Sequence, residues 1–236
     1  MSDEQRASTF GRRLAPSERF FARSPFAIVT MVARIKGWVS GEMVRAAVAK
    51  AQQRHALLRV RIRDDADHGQ SFTSEAVGEI PISVVPRGSK DEWIDIHAET
   101  SKTPFEFDSA PAIRIILAQS PKASELIVVC HHTICDGMSL AYLVRDLMTF
   151  MGHPDREVEV LPPPHPITVG TLPADVSQSG LAQFLIKRIN RTWREAPVFF
   201  ENDDYRAVSK AYWGNCTHGV YSIELSKTET EGLVAR

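Results

Sequence analysis

Leu126-Ile127-Val128-Val129-Cys130-His131-His132-Thr133-Ile134-Cys135-Asp136-Gly137-Met138-Ser139-Leu140 is the stretch whose reading decides the fold. Its apolar opening run, with no polar alternation, predicts a strand buried on both faces. Two adjacent histidines end that strand, and a short turn follows. Asp136-Gly137 then opens a helix running to Met151, with Leu140, Val144, Leu147, Met148 and Met151 on one face. What this chain does depends on whether the histidines are chemistry or packing.

Moving outward, Ala112–Ala118 reads as a strand before the central one, across a Ser/Pro/Lys turn. Ala27–Lys36 is β-rich and ends at Gly37. Ser40 then caps a helix of about 15 residues with Val44, Ala47, Val48 and Ala51 as its apolar stripe. That helix runs into Arg54–Arg63, where apolar and basic residues come to alternate with a strand period. Asp64–Gly69 is a turn cluster, with Gln70–Ser74 as the hairpin partner. Ile80–Val85 is a further short strand, and Ser89–Lys102 a helix with Trp93, Ile96 and His97 at helical spacing. Pro16 suits the first position of a short helix, and residues 1–13 read as a frayed polar end.

Beyond Leu161 the character changes. Pro162-Pro163-Pro164-His165-Pro166 reads as an extended linker. Ser179–Arg194 is a basic amphipathic helix. Leu181, Phe184, Leu185, Ile189 and Trp193 form its apolar face, and Lys187, Arg188, Arg191 and Arg194 supply its charge. It reads as a crossover helix with a solvated cationic face. The other reading is a dock for an acidic carrier-protein surface or for coenzyme A phosphates. His218–Leu225 reads as a strand, and Ser226 caps a helix that has barely begun at Arg236. The division expected is therefore residues 1–166 as one subdomain, and residues 167–236 as linker, crossover helix and the start of a second subdomain.

The 236 residues are 43% hydrophobic and 24% charged, an ordinary globular composition. Twenty-eight Lys and Arg against 29 Asp and Glu give a formal charge of -1, which argues against wholesale nucleic-acid binding. No apolar run has the length of a membrane span. Three cysteines and no apolar leader at Met1 point to a reducing, cytoplasmic setting.

Strand alternation sends His131 and His132 to opposite faces, so at most one of them serves a shared site. A neutral imidazole is a suitable general base near neutral pH. Cys130, His131, His132 and Cys135 crowd within six residues and lack a second ligand pair, so no metal site is expected. Asp136 is an N-cap, a carboxylate paired with Arg59 or Arg61, or both. Gly137 permits close backbone approach or a positive φ, and it opens a helix whose N–H groups favour developing negative charge. Ser139 lacks a G-x-S-x-G elbow, and Cys135 sits in an apolar context that favours packing.

His131-His132-Thr133-Ile134-Cys135-Asp136-Gly137 matches the HHxxxDG signature of the condensation-domain superfamily, which includes chloramphenicol-acetyltransferase-like enzymes. Arg54-His55-Ala56-Leu57-Leu58-Arg59-Val60-Arg61 resembles the family's arginine-histidine segment. Pro104-Phe105-Glu106-Phe107-Asp108 with Pro111-Ala112-Ile113-Arg114 resembles its Pro-Phe-Asp-Leu segment. Leu14-Ala15-Pro16-Ser17-Glu18-Arg19 resembles its opening element.

The resemblance implies an α/β fold, a chloramphenicol-acetyltransferase-like two-layer sandwich of mixed sheet and helices, present here as the N-terminal subdomain of two. It implies His132 as the catalytic base or positioning group. His131 and Gly137 have supporting roles, with Gly137 near the oxyanion, and Asp136 pairs structurally with Arg59. The implied reaction moves an acyl group from a phosphopantetheine thioester, on a carrier protein or coenzyme A, to an alcohol or amine, with no bound cofactor. The opening element and the proline linker look most like stand-alone O-acyltransferases, and the alternative is a nonribosomal peptide condensation domain forming an amide. A silent relative that only binds carrier or acyl ligand is a further reading. The family's second half is missing, so the 236-residue chain by itself is expected to be nearly inactive.

Overall fold

The computed structural model describes residues 10–65, 69–166, 180–195, 201–216, 219–220, 223 and 225–234, without the side chains of 65 and 192–194. In chain order its elements are β1 (Gly11–Arg13), α1 (Pro16–Phe21), β2 (Ile28–Lys36), α2 (Gly41–Arg54), a 3₁₀ turn (Ala56–Arg59), β3 (Arg61–Asp65) and β4 (Gly69–Thr73). There follow β5 (Ile82–Pro86), α3 (Glu92–Ser101), β6 (Ile113–Gln119), β7 (Ala123–His131) and α4 (Gly137–Gly152). The remaining helices are α5 (Gly180–Glu195), α6 (Asn202–Asn215) and α7 (Lys227–Val234).

The apolar run of β7 does what its composition demands. Every residue from Ser124 to His131 is buried, because a strand flanks it on each side in the sheet order β2-β7-β6-β5. β7 is antiparallel to β2, with Ile28 opposite His131, and to β6, with Ile113 opposite Cys130. β5 joins β6 in parallel, which needs a crossover; α3 supplies it. The sheet is therefore mixed and layered with helices.

Ser40 caps α2 by accepting from the Met43 amide at 3.0 Å, and Val44, Ala47, Val48 and Ala51 are all buried. α2 packs on α4, and α4 on β2. On α4 the buried face is Leu140, Leu143, Val144, Asp146, Leu147, Phe150 and Met151. Met148 lies outside that face, with Leu143 and Phe150 inside it. A second, antiparallel sheet has the order β1-β4-β3 and contributes Ile62 and Phe72 to the same core. It is tied to the site by the Ile62 amide, which donates to the Phe107 carbonyl at 2.6 Å.

Three expectations change. Residues 11–13 are not frayed: they pair with Ser71–Thr73 as β1. The turn from Arg54 into β3 is a 3₁₀ helix before the strand period begins. The helix α6 was unforeseen, and it buries Tyr205 and Ser209. Residues 1–9, residues 66–68 of the expected turn and half of the expected strand at His218–Leu225 lie outside the described residues, and the described half of that segment is not in a strand. No described helix is long and apolar enough to cross a membrane.

Candidate active site

The site is built where β7 ends. Alternation along β7 turns Cys130 toward α4, where it shares a cavity of about 250 Å³ with Leu143 and Cys135. It turns Glu125 and His131 to the other side. There Glu125, fully buried, meets Arg34 at 2.6 Å and Arg87 at 3.2 Å.

His131 is fully buried and has both ring nitrogens engaged. Nε2 lies 3.0 Å from the Ser24 carbonyl, which can only accept, so Nε2 carries the proton. Nδ1 is then the acceptor, taking the Thr133 hydroxyl at 2.7 Å and the Thr133 amide at 3.3 Å. Phe107 and Phe105 stand edge-on to the ring at centroid distances of 4.8 and 5.8 Å. Tyr205 of α6 closes over Phe107 at 5.0 Å, and Arg114 lies 4.0 Å from the Phe105 ring. Burial drives the His131 pKa down to about 4 from an ordinary 6.5, against the opposing hydrogen bond to Ser24. A neutral ring with both nitrogens occupied cannot take a proton from a substrate.

His132 is treated differently. Its amide donates to the Ala27 carbonyl at 2.8 Å, which continues the β2 pairing one residue past the strand. Its ring stacks on Phe21 with centroids 4.2 Å apart and planes within 8°. Among the described residues its ring nitrogens have no hydrogen-bond partner. The stack fixes the plane of the imidazole and leaves the nitrogen edge available.

Phe21 is held because the chain reverses directly after α1. Ser24 N donates to Phe21 O at 2.9 Å, and Arg23, in the left-handed region at φ 62°, turns a buried guanidinium to Asp64 at 2.5 Å. Glu18 fixes the start of α1, accepting from the Ala15 amide and from two nitrogens of Arg12, all at 2.6 Å. Thus the Leu14–Arg19 segment serves the site at one remove, by anchoring the helix that carries Phe21.

Asp136 is exposed and caps α4, accepting from the Ser139 amide at 2.7 Å. The Ser139 amide and hydroxyl hold its carboxyl below the usual range, with a smaller contribution from His132. The expected ion pair with Arg59 is absent. Arg59 is exposed on the 3₁₀ turn, Arg61 donates instead to the carbonyls of Glu75 and Asp108, and no described arginine reaches Asp136. The cap is sufficient for an exposed carboxylate at a helix N-terminus.

Gly137 also differs from expectation. Its φ is not positive, and a Cβ there would meet nothing within 4 Å. Nothing in this chain requires glycine at that position.

The arginine-histidine segment is anchored by a residue that sequence reasoning missed. Asp146, on the buried face of α4, accepts from Arg54 Nε at 3.0 Å and lies 2.9 Å from His55 Nε2. Burial pushes its pKa up, but the hydrogen bonds from His55 and Arg145 and the Arg54 charge outweigh this and leave it lowered. Arg54 and His55 are therefore a clamp between α2 and α4. Phe21, Ser24, Thr133 and Tyr205 were missed as well. Thr133 follows the histidines directly, but nothing local marks Phe21 or Tyr205, which arrive from about 100 and 70 residues away in sequence. Cys130 and Cys135 both aim their thiols at the His131 carbonyl, each at 3.7 Å. Among the described residues no group of three His, Cys, Asp or Glu could hold a metal ion.

A mixed sheet ending in one buried and one available histidine, followed by a capped helix, defines a chloramphenicol-acetyltransferase-like subdomain. The family profile described as "Condensation domain" matches residues 3–165, and the chain belongs to that family. Nonribosomal peptide synthetase agiA of Aspergillus flavus is 32% identical over 120 residues, 50% of this chain and 2% of that protein. Phosphinothricin tripeptide synthetase PhsC of Streptomyces viridochromogenes is 26% identical over 168 residues, 69% of this chain and 15% of that protein. The condensation domain of the monacolin K polyketide synthase MokA superposes with a TM-score of 0.55 at 12% identity, covering 80% of this chain and 42% of that structure. At that identity the likeness shows the fold alone. The chain thus spans well under half the length of the relatives and the structure it matches.

Proposed function

We propose that this chain supplies the histidine-bearing half of a condensation domain that joins a carrier-bound acyl thioester to an amine, forming an amide. The sequence leaned toward stand-alone O-acyltransferases; the similarity to nonribosomal peptide synthetases favours the amide-forming alternative instead. One observation carries the assignment of roles: His131 has both nitrogens committed and His132 has neither committed among the described residues. His132 is the group that accepts the proton of the attacking amine, or positions that amine, against the thioester carbonyl; the amide C–N bond forms as the thioester C–S bond breaks, and the amine's proton ends on the departing phosphopantetheine thiol. His131 is a positioning residue, and Thr133, Ser24 and Phe107 hold it. The co-substrates are phosphopantetheine thioesters on carrier proteins, and the opposing wall of the site comes from a second half of the fold.

The test is product formation from an acyl-loaded donor carrier and an aminoacyl-loaded acceptor carrier, followed by mass spectrometry, with the polypeptide that carries both halves. His132→Ala is expected to lower turnover by about 10² to 10⁴-fold and to leave the circular dichroism spectrum unchanged. Near-normal turnover in that variant overturns the role of His132. Transfer to hydroxyl acceptors alone restores the ester-forming alternative. The 236-residue chain assayed by itself is expected to show little or no transfer.

A further inference from the structure

Cys130 and Cys135 take no part in the transfer chemistry, but the turn between them brings their sulfurs together. β7 ends at His131, and the chain then reverses, with the Ile134 amide donating to the His131 carbonyl at 3.1 Å. Cys135 is the next residue. Its thiol donates to that same carbonyl at 3.7 Å, and so does the Cys130 thiol, also at 3.7 Å. Three donors therefore converge on an oxygen with two lone pairs, and thiols are the weak donors among them. The two sulfurs also hydrogen-bond to each other, and both cysteines line the cavity of about 250 Å³ beside α4. Both are free thiols. They differ in access. Cys130 is fully buried, and burial, followed by the hydrogen bond and charge of Cys135, holds its pKa well above the ordinary value. Cys135 is half-buried. The cavity has room for a molecule the size of water or hydrogen peroxide and is too small for glutathione disulfide.

We infer that Cys130 and Cys135 are an oxidation site, at which hydrogen peroxide closes a disulfide across the turn that carries His132. Peroxide transfers one hydroxyl to the Cys135 sulfur as its O–O bond breaks, and the other leaves with the thiol proton as water. The Cys130 sulfur then attacks the Cys135 sulfur. The S–S bond forms, the S–O bond breaks, and the hydroxyl leaves with the Cys130 proton as a second water. Two thiols and one peroxide give one disulfide and two waters. Under reducing conditions the pair stays as the two thiols of this structure. Closure draws the sulfurs from contact to bonding distance. The chain between them is only His131-His132-Thr133-Ile134. His131 is locked by Ser24, Thr133 and Phe107, so the adjustment falls on the rest of the turn, where the His132 ring is held by its stack on Phe21. Oxidation therefore moves that ring and lowers transfer. This effect on transfer rests on the role proposed for His132; the disulfide itself does not.

Peroxide treatment of the reduced protein, followed by thiol alkylation, trypsin digestion and mass spectrometry, tests it. The tryptic peptide Ala123–Arg145 holds Cys130 and Cys135 and excludes Cys216. After peroxide it is expected to have lost two hydrogens and both alkylation sites, and dithiothreitol is expected to restore them. Cys135→Ser and Cys130→Ala are each expected to abolish this change, and Cys216→Ser to leave it intact. In the polypeptide that carries both halves, oxidation is expected to lower transfer about ten-fold or more, reversibly with dithiothreitol. Cys135→Ser is expected to keep its transfer through the same treatment. Both cysteines still alkylated after peroxide, Cys135 carried on to a sulfinic acid without a bridge, or a bridge to Cys216 overturns the inference. So does a bridge that leaves transfer unchanged in a protein that His132→Ala inactivates. If the bridge forms and His132→Ala keeps near-normal turnover, the oxidation site stands and the role of His132 falls.

Discussion

His131 and His132 are neighbours in sequence and opposites in structure. One is enclosed by Phe105, Phe107, Ser24 and Thr133, and its hydrogen bonds are spent inside the protein. The other sits past the last ladder position, where stacking on Phe21 orients its ring without occupying its nitrogens. The difference teaches that the period-two pleat of β7 divides one dipeptide into a member whose ring nitrogens are spent inside the protein and a member whose ring nitrogens stay open. The sharpest way to break the comparison is to exchange the consequences of losing each. His131→Ala removes three buried hydrogen bonds and opens a cavity against Phe107, and is expected to cost about 3–5 kcal/mol. His132→Ala loses mainly a half-buried stacking contact and is expected to cost about 1 kcal/mol. Urea unfolding of the two variants measures both; equal costs would mean that the two rings share one role.

The same contrast has a pH signature. His131 has a folded pKa of about 4 and an ordinary value of 6.5. The folded value is the lower one, so the unfolded chain binds the proton first as pH falls. The contribution is fully present above pH 6.5 and is lost progressively toward pH 4, amounting to about 3 kcal/mol. Subtracting the unfolding curves of His131→Gln from those of the parent across that window isolates it from the carboxylates. A difference that stays flat with pH would place His131 in contact with water.

How much of this was legible depends on the range over which each feature is specified. β7, α2 and α4 are written in contiguous patterns: an unbroken apolar run, a Ser40 cap, and an Asp136 cap with a periodic face behind it. Each of these formed close to where its pattern lay. β1 has three residues, too few to show a period, and it exists because β4 offers it an edge. In α6, one helical turn separates the buried pair Tyr205 and Ser209, and Tyr205 is polar enough to read as surface. At the site, the opposite facing of the two histidines follows from strand geometry alone. Which of them is enclosed does not, because Ser24, Phe107 and Tyr205 come from remote segments. The pairing of Asp136 with Arg59 or Arg61 stood beside the cap reading and was narrowed to Arg59 by the resemblance; the capped, exposed Asp136 of this chain has no need of it.

That last point yields a smaller, discriminating effect. An exposed cap whose carboxylate accepts one amide hydrogen bond contributes about 1 kcal/mol. A buried carboxylate paired with arginine would cost about 3–5 kcal/mol on removal. Asp136→Ala is therefore expected to lower stability by about 1 kcal/mol, and Arg59→Ala to be nearly silent. In a double-mutant cycle the two effects should add, since Arg59 makes no ion pair with Asp136. Coupling of more than about 1 kcal/mol would mean that the arginine reaches the cap in solution.

Gly137 gives the smallest effect and the cleanest separation of packing from chemistry. A Cβ at this position meets no atom within 4 Å, and its φ is not positive, so this chain tolerates alanine without strain. Alanine in place of glycine at the start of α4 reduces the freedom of the unfolded chain, so Gly137→Ala is expected to leave stability unchanged or raise it by up to about 1 kcal/mol. If Gly137 serves instead by letting reacting groups approach the end of α4 closely, the same methyl group will obstruct them. Transfer would then fall in a protein whose unfolding midpoint has not fallen. A parallel loss of both would place the glycine's role in the fold, against the open space around it. A midpoint held or raised together with reduced transfer would put Gly137 with His132 in the proposed transfer site.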